Sequence, residues 1–165
     1  MIVTVRDKNT DVSALESIPK GDGSTLFITY LPISTTSTSE IEKSHEALIE
    51  SLHNYEIKKV DVVIANAGAG TVFMSTAETP LSAISADFYA NTIGPIALYQ
   101  SLLPLLKGSA GAKFIIIGSS LGSISAMIPG APCLSYGISK AAVHFAAKKM
   151  HDEEKNNVVL VVHPG

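Results

Sequence analysis

Five short apolar runs rich in β-branched residues recur along the chain: Ile2 to Val5, Thr25 to Leu31, Val60 to Ala65, Lys113 to Ile117 and Val158 to Val162. Each has the length of a strand, and polar residues hardly interrupt them. Strands that are hydrophobic on both faces belong in a parallel sheet covered by helices, because an antiparallel sheet with one wet face would alternate. Helical patterns lie between them: a short one near Val12 to Ser17, then Ser39 to Tyr55, Ser85 to Leu106 and Ser135 to Lys155. In the second of these Ile41, Leu48, Ile49 and Leu52 make an apolar stripe, with Ser39 at the N-cap and Glu42 three residues on in the reciprocal capping arrangement. Strand and helix in alternation predict an α/β fold, a doubly wound parallel sheet with right-handed crossovers. No repeat or linker divides it, so residues 1–165 read as one domain, with the serine and threonine patch Ser34 to Ser39 as a surface loop.

Composition narrows the function classes. A chain of 165 residues, 46% hydrophobic and 16% charged, is an ordinary globular one. Its net charge of −3 and the lack of a basic run leave no footprint for nucleic acid or an anionic membrane. The start, Met1 to Asp7, has no signal-peptide pattern, and the apolar stretch from Ala83 to Leu106 carries Asp87, Asn91, Gly94, Pro95, Gln100 and Pro104, so it reads as a buried helix and not a membrane span. The single cysteine, Cys133, cannot form an internal bridge, and a reducing, cytoplasmic setting with small-molecule partners is expected. His45, His53, His144, His151 and His163 show no metal-ligand spacing and are expected to be solvated or capping; no metal is expected. A hydrolase elbow is not expected at Gly118 to Gly122.

Tyr136 and Lys140 stand four apart at the start of a helical pattern, so both project from one face. An ammonium beside a phenol favours the phenolate, which makes such a pair useful for proton transfer; by itself the spacing also arises by chance. The run Lys113 to Ile117 leads into Gly118-Ser119-Ser120-Leu121-Gly122-Ser123, placing hydroxyls at the carboxyl end of a strand, where open α/β sheets keep their ligand crevice. Val60 to Ala65 leads into Asn66-Ala67-Gly68-Ala69-Gly70, either a close approach for a flat ligand or a tight turn. Asn91 sits inside the third helix, where it could be an ordinary buried amide bonded to backbone.

In this order, Asn66-Ala67-Gly68, Asn91, the serines, Tyr136-Gly137-Ile138-Ser139-Lys140 and a late strand into Pro164-Gly165, the chain resembles the short-chain dehydrogenase/reductase family over essentially its whole length. Its wording is similar to fungal ketoreductases of the norsolorinic acid ketoreductase group. The resemblance implies a Rossmann-like NAD(P)-binding domain that reduces a ketone or aldehyde by hydride transfer. In it Tyr136 is the proton donor, Lys140 assists it and holds the nicotinamide ribose, Ser119 polarises the carbonyl with Ser120 as the alternative, and Asn91 anchors a relay water. Asn66, Ala67 and Gly68 line the cofactor cleft. Arg6, at the end of the first strand, stands where the family places a basic residue over the adenosine 2′-phosphate, implying NADP (NADPH) over NAD; its alternative is a solvated arginine paired with Asp7. The helices Ser85 to Leu106 and Ser135 to Lys155 are those through which such proteins form a homodimer or homotetramer.

The same resemblance predicts what the chain does not contain. A family member begins with a strand and a glycine-rich turn against the cofactor phosphates, and this chain starts at the fold's second strand. In the order 3-2-1-4-5-6 the absent strand is central, so a gap is expected between Met1 to Val5 and Val60 to Ala65. The segment beyond Pro164-Gly165 and an aspartate near Leu31-Pro32-Ile33 at the adenine are missing too. The alternative to a reductase is therefore a non-catalytic remnant acting as a dimerisation or interaction module. In the long loop before Tyr136, the turn residues Pro129, Gly130 and Pro132 point to a variable substrate pocket.

Overall fold

The computed structural model describes residues 1–34 and 36–165; Thr35, within the serine and threonine patch, lies outside the described residues. The elements follow in the order β1 (Ile2–Val5), α1 (Ser13–Glu16), β2 (Phe27–Tyr30), α2 (Thr38–Asn54), β3 (Val62–Ala65), α3 (Leu81–Phe88), a π-helical turn (Tyr89–Ile93), α4 (Gly94–Lys107), β4 (Lys113–Ile117), a 3₁₀ turn (Ser120–Gly122), α5 (Leu134–Glu153) and β5 (Val158–Val162). All pairings are parallel, and they form two sheets: β1 with β2, and β3-β4-β5. The break falls between β1 and β3, where the strand order 3-2-1-4-5-6 leaves its gap.

Side-chain alternation explains where the core sits. Val63 and Ala65 of β3, Phe114 and Ile116 of β4 and Val159 of β5 point to one side, against Leu48 and Leu52 of α2, Leu102 and Leu106 of α4, and Val143, Ala147 and Met150 of α5. The alternate positions are apolar as well. Val62 and Ile64 are 50% and 58% exposed, and Ile115 and Leu160 beside them are half-buried. In the β3-β4-β5 sheet, then, the sequence marks both faces as hydrophobic while the helices among the described residues cover one. A cavity of about 1070 Å³ runs between the half-sheets, bordered by β1 on one side and β3 on the other. The helix α2 spans the break on the covered side: Tyr55 at its C-cap stacks on Phe27 of β2, and Leu48 and Leu52 enter the β3 core.

Two local expectations need correction. The helix α2 begins at Thr38 with Ser37 at the N-cap, without a side-chain cap bond; Ser37 Oγ instead lies 2.9 Å from Ser39 Oγ. The reciprocal Ser39–Glu42 cap is absent because both residues already lie inside the first turns. The third helix starts at Leu81, directly after Pro80, whose extended backbone ends the preceding loop.

His45 is likewise buried and not solvated. Its Nδ1 donates to the Ile41 carbonyl 2.7 Å away, and burial holds its pKa below the usual 6.5. A histidine kept neutral in the fold and free to protonate when unfolded adds stability above pH ~6.5 that is lost as pH falls. Urea midpoints are therefore expected to fall between about pH 7 and about pH 5, above the range where carboxylates titrate, and His45→Gln is expected to flatten that dependence. An equal slope in both proteins would show that His45 carries none of it.

Candidate active site

Lys140 and Tyr136 come from the first turns of α5, and the structure brings their side chains together: Lys140 Nζ lies 5.4 Å from the centre of the Tyr136 ring. Tyr136 is half-buried and Lys140 is buried. The ammonium donates to the Ile117 carbonyl at the end of β4, 2.7 Å away, and burial lowers its pKa. An ammonium has three hydrogens, so two are left for other acceptors.

Ser119, the residue after Gly118 at the end of β4, is buried and extended, and its Oγ accepts the Leu121 N–H at 3.2 Å to cap the 3₁₀ turn. Because Oγ is the acceptor in that bond, its own hydrogen remains available to a carbonyl oxygen. Ser120 is exposed. Gly118-Ser119-Ser120-Leu121-Gly122 spells Gly-x-Ser-x-Gly around Ser120. Its geometry is nonetheless not that of a hydrolase elbow: the following element is a single 3₁₀ turn, and the nearby His144 accepts the backbone N–H of Ser119.

Asn91 occupies the centre of the π-helical turn and is almost fully buried. Its Oδ1 accepts the Ala69 N–H at 2.8 Å, and its Nδ2 donates to the Ala69 carbonyl at 2.7 Å and to Ser139 Oγ at 2.9 Å. Both amide hydrogens are thus spent on the fold, as the buried-amide reading had it. The backbone differs. Gly94 N–H bonds to Tyr89 O, five residues back, and Pro95 has no N–H to give to the Asn91 carbonyl four residues before it. That carbonyl therefore receives no bond from the residue four positions on.

Sequence reasoning passed over three polar residues that tie these parts together. Ser139 receives Asn91 and donates to the Tyr136 carbonyl at 2.7 Å, while Thr92 Oγ1 donates to the Ser139 carbonyl at 2.8 Å. Asp87, fully buried one turn before Asn91, accepts the Thr71 N–H at 3.0 Å. With Asn91 it fixes the loop after β3. The one available signal was the four-residue spacing of Asp87 and Asn91 in an apolar stretch, which by itself resembles any polar helix face.

Arg6 and Asn66, Ala67 and Gly68 border the cavity between the half-sheets, at the carboxyl ends of β1 and β3. Arg6 is exposed, and among the described residues no ion pair joins it to Asp7, whose carboxylate accepts the Asn9 N–H. A methyl on Gly68 would lie 2.9 Å from Asn91 Oδ1 and 3.6 Å from Lys140 Nζ, so the Asn66–Gly68 turn reaches the tyrosine–lysine pair from the other side. Among the described residues no group of three or more His, Cys, Asp or Glu side chains converges, and no helix is long and apolar enough to cross a membrane.

The family model for short chain dehydrogenase matches residues 2–165. The chain is 36% identical over 168 residues to a short chain dehydrogenase of Penicillium aethiopicum, covering all of this chain and 64% of that protein. It is 32% identical over 171 residues to a norsolorinic acid ketoreductase of Dothistroma septosporum, covering 61% of that protein. The chain therefore spans a little over three-fifths of the length of each of these two relatives. Among solved structures it is similar to an NADPH-bound carbonyl reductase from chicken fatty liver, with a TM-score of 0.77 and 27% identity over 99% of this chain and 67% of that one. A Pseudomonas aeruginosa RhlG/NADP active-site complex gives a TM-score of 0.75 and 28% identity, over 99% and 61%.

Proposed function

Since the chain belongs to the short chain dehydrogenase family, we propose that its residues serve an NADPH-dependent carbonyl reductase in which Tyr136 protonates the carbonyl oxygen. The observation that carries this reading is the pairing of Tyr136 with a buried Lys140 whose ammonium keeps two hydrogens unspent. That arrangement suits a nicotinamide ribose, and the closely approaching Gly68 leaves the adjacent surface free of side chain. Bound NADPH would supply a hydride to the carbonyl carbon.

The chain's own residues supply the rest. Ser119 donates its free hydroxyl hydrogen to the carbonyl oxygen, drawing charge onto it as the carbon becomes tetrahedral. Tyr136 delivers the proton to the same oxygen, so that hydride and proton together make the alcohol. Lys140 holds the ribose hydroxyls and favours the negative charge left on the phenol oxygen. The Asn91 carbonyl holds the water through which the proton is restored. Arg6, on the rim of the cavity, takes the 2′-phosphate of NADPH. The loop before α5 presents Ile124, Met127 and Ile128 to solvent, which together with the ketoreductase relatives favours a bulky aromatic ketone as substrate. Helices α4 and α5 are the surface proposed to meet a second copy, with Phe145, 76% exposed, at its centre.

Titration of nicotinamide fluorescence tests the cofactor assignment. Removing one charge-assisted contact costs about 1.5–3 kcal/mol, so Arg6→Ala is expected to weaken NADPH roughly tenfold or more and to leave NADH unchanged. Equal losses for both cofactors would remove Arg6 from the phosphate. Consumption of NADPH with a bulky aromatic ketone tests the reaction; no turnover at saturating cofactor would refute it.

A further inference from the structure

Parallel strand pairing at the end of β4 stops at Gly118, whose N–H donates to the Val162 carbonyl at 2.8 Å. The next donor, the Ser119 N–H, has left the ladder and sits on a buried residue, where an unpaired amide is costly. Its partner is His144 Nε2, 3.3 Å away on α5. His144 was expected to be solvated; it is half-buried and lies one helical turn beyond Lys140, which is itself one turn beyond Tyr136.

Three consecutive residues of the β4 end are thereby gripped from one helix. Lys140 Nζ bonds the Ile117 carbonyl, the His144 ring lies against Gly118, and His144 Nε2 accepts from Ser119. A methyl on Gly118 would come within 2.6 Å of His144 Nε2 and 2.2 Å of Val161 Cγ1, so the ring has no slack there. We propose that His144 is a positioning residue for Ser119: its neutral ring, protonated on Nδ1, takes up the orphan Ser119 amide and fixes the serine in register with Tyr136 and Lys140 on the same helix. The role rests on the reading of Ser119 and Tyr136 as the groups that touch the carbonyl.

A ring that accepts at Nε2 has to stay neutral, and its surroundings keep it so. Burial lowers the His144 pKa, and the Lys140 ammonium on the same helix lowers it further. Gly118 of the β4 end, against which the ring lies, and Val161 of β5, which closes the same space over Gly118, carry no charge. Protonation would turn the acceptor into a donor facing the Ser119 N–H, and the grip on the serine would open.

Nitrogen-15 NMR on the full chain tests this. In the unaltered protein the His144 ring is expected to show the Nδ1–H tautomer at about pH 7.5, and the Ser119 amide resonance to move with the ring as it protonates toward about pH 5. An Nε2–H tautomer, or a Ser119 amide indifferent to the ring, would overturn the proposal. His144→Leu removes the acceptor and is expected to speed Ser119 amide exchange about tenfold, while His144→Gln, whose Oε1 can accept, restores it. In the reductase assay His144→Leu is expected to lower kcat about tenfold with the KM for NADPH unchanged, again rescued by Gln. An unchanged kcat in His144→Leu would overturn the positioning role alone, whereas an unchanged kcat in Tyr136→Phe would overturn the reading beneath it.

Discussion

Tyr136→Phe is expected to lower kcat for carbonyl reduction by roughly 10²–10⁴-fold, the range a single general acid contributes, while NADPH affinity moves by less than about threefold. The substitution deletes one oxygen and little else. The ring keeps its tilted contact with Phe73, 6.3 Å between centres, and its place 5.4 Å from Lys140 Nζ. The Tyr136 carbonyl, which receives Ser139 Oγ, belongs to the backbone and is unaffected. Lys140 retains its bond to Ile117, so the ribose-binding donors stay in position. A loss confined to kcat therefore isolates proton transfer from binding. Turnover within a factor of about two of the original would remove Tyr136 from its role, since water does not replace a positioned acid without cost.

The sequence was most informative where local chemistry decides the outcome. Lys113 to Ile117 and Val158 to Val162 are strands over the full range read from them, because unbroken β-branched runs in a buried parallel sheet leave no competing pattern. Thr25 to Leu31 shortened to Phe27–Tyr30, although its ends still bond along β1: the Thr25 carbonyl accepts the Met1 terminus, and the Leu31 N–H donates to the Val5 carbonyl. Strand order implied the break between β1 and β3, and the sheets divide there. Tyr136 and Lys140 were legible because four-residue spacing alone puts two side chains on one helical face. What holds them was not. The bonds from Asn91 to Ser139 and from His144 to Ser119 span 48 and 25 positions, and no periodicity encodes a pairing at that separation. Helix starts were misread for a related reason. Ser39 is a good cap by residue type and Ser85 was read as a helix start, but Ser37 and Pro80 take the cap position because the preceding loops deliver an extended backbone there.

Gly122→Ala is expected to destabilise the fold by about 1–3 kcal/mol, the usual cost of forcing a methyl into a closed contact, and to release the serine turn from α5. A Cβ on Gly122 would stand 2.7 Å from the carbonyl carbon of Lys140 and 2.8 Å from Ala141 N. Those are backbone atoms inside a helix, which cannot rotate aside as a side chain would. The partner surface is equally tight, since a methyl on Gly137 would meet the Leu121 carbonyl at 3.0 Å. Relief can come only by moving the 3₁₀ turn outward, and that turn carries the Leu121 N–H bonded to Ser119 Oγ. Stability and serine placement should therefore fail together: a lower urea midpoint at unchanged m-value, with faster exchange of the Leu121 and Ser119 amides. Gly21→Ala is the control, because its methyl would find Ser24 Oγ at an ordinary 3.7 Å and is expected to change the midpoint little. A Gly122→Ala protein as stable as the Gly21→Ala one would mean that the turn does not rest on α5 in solution. The grip of Lys140 and His144 on the end of β4 would then have to hold Ser119 without it.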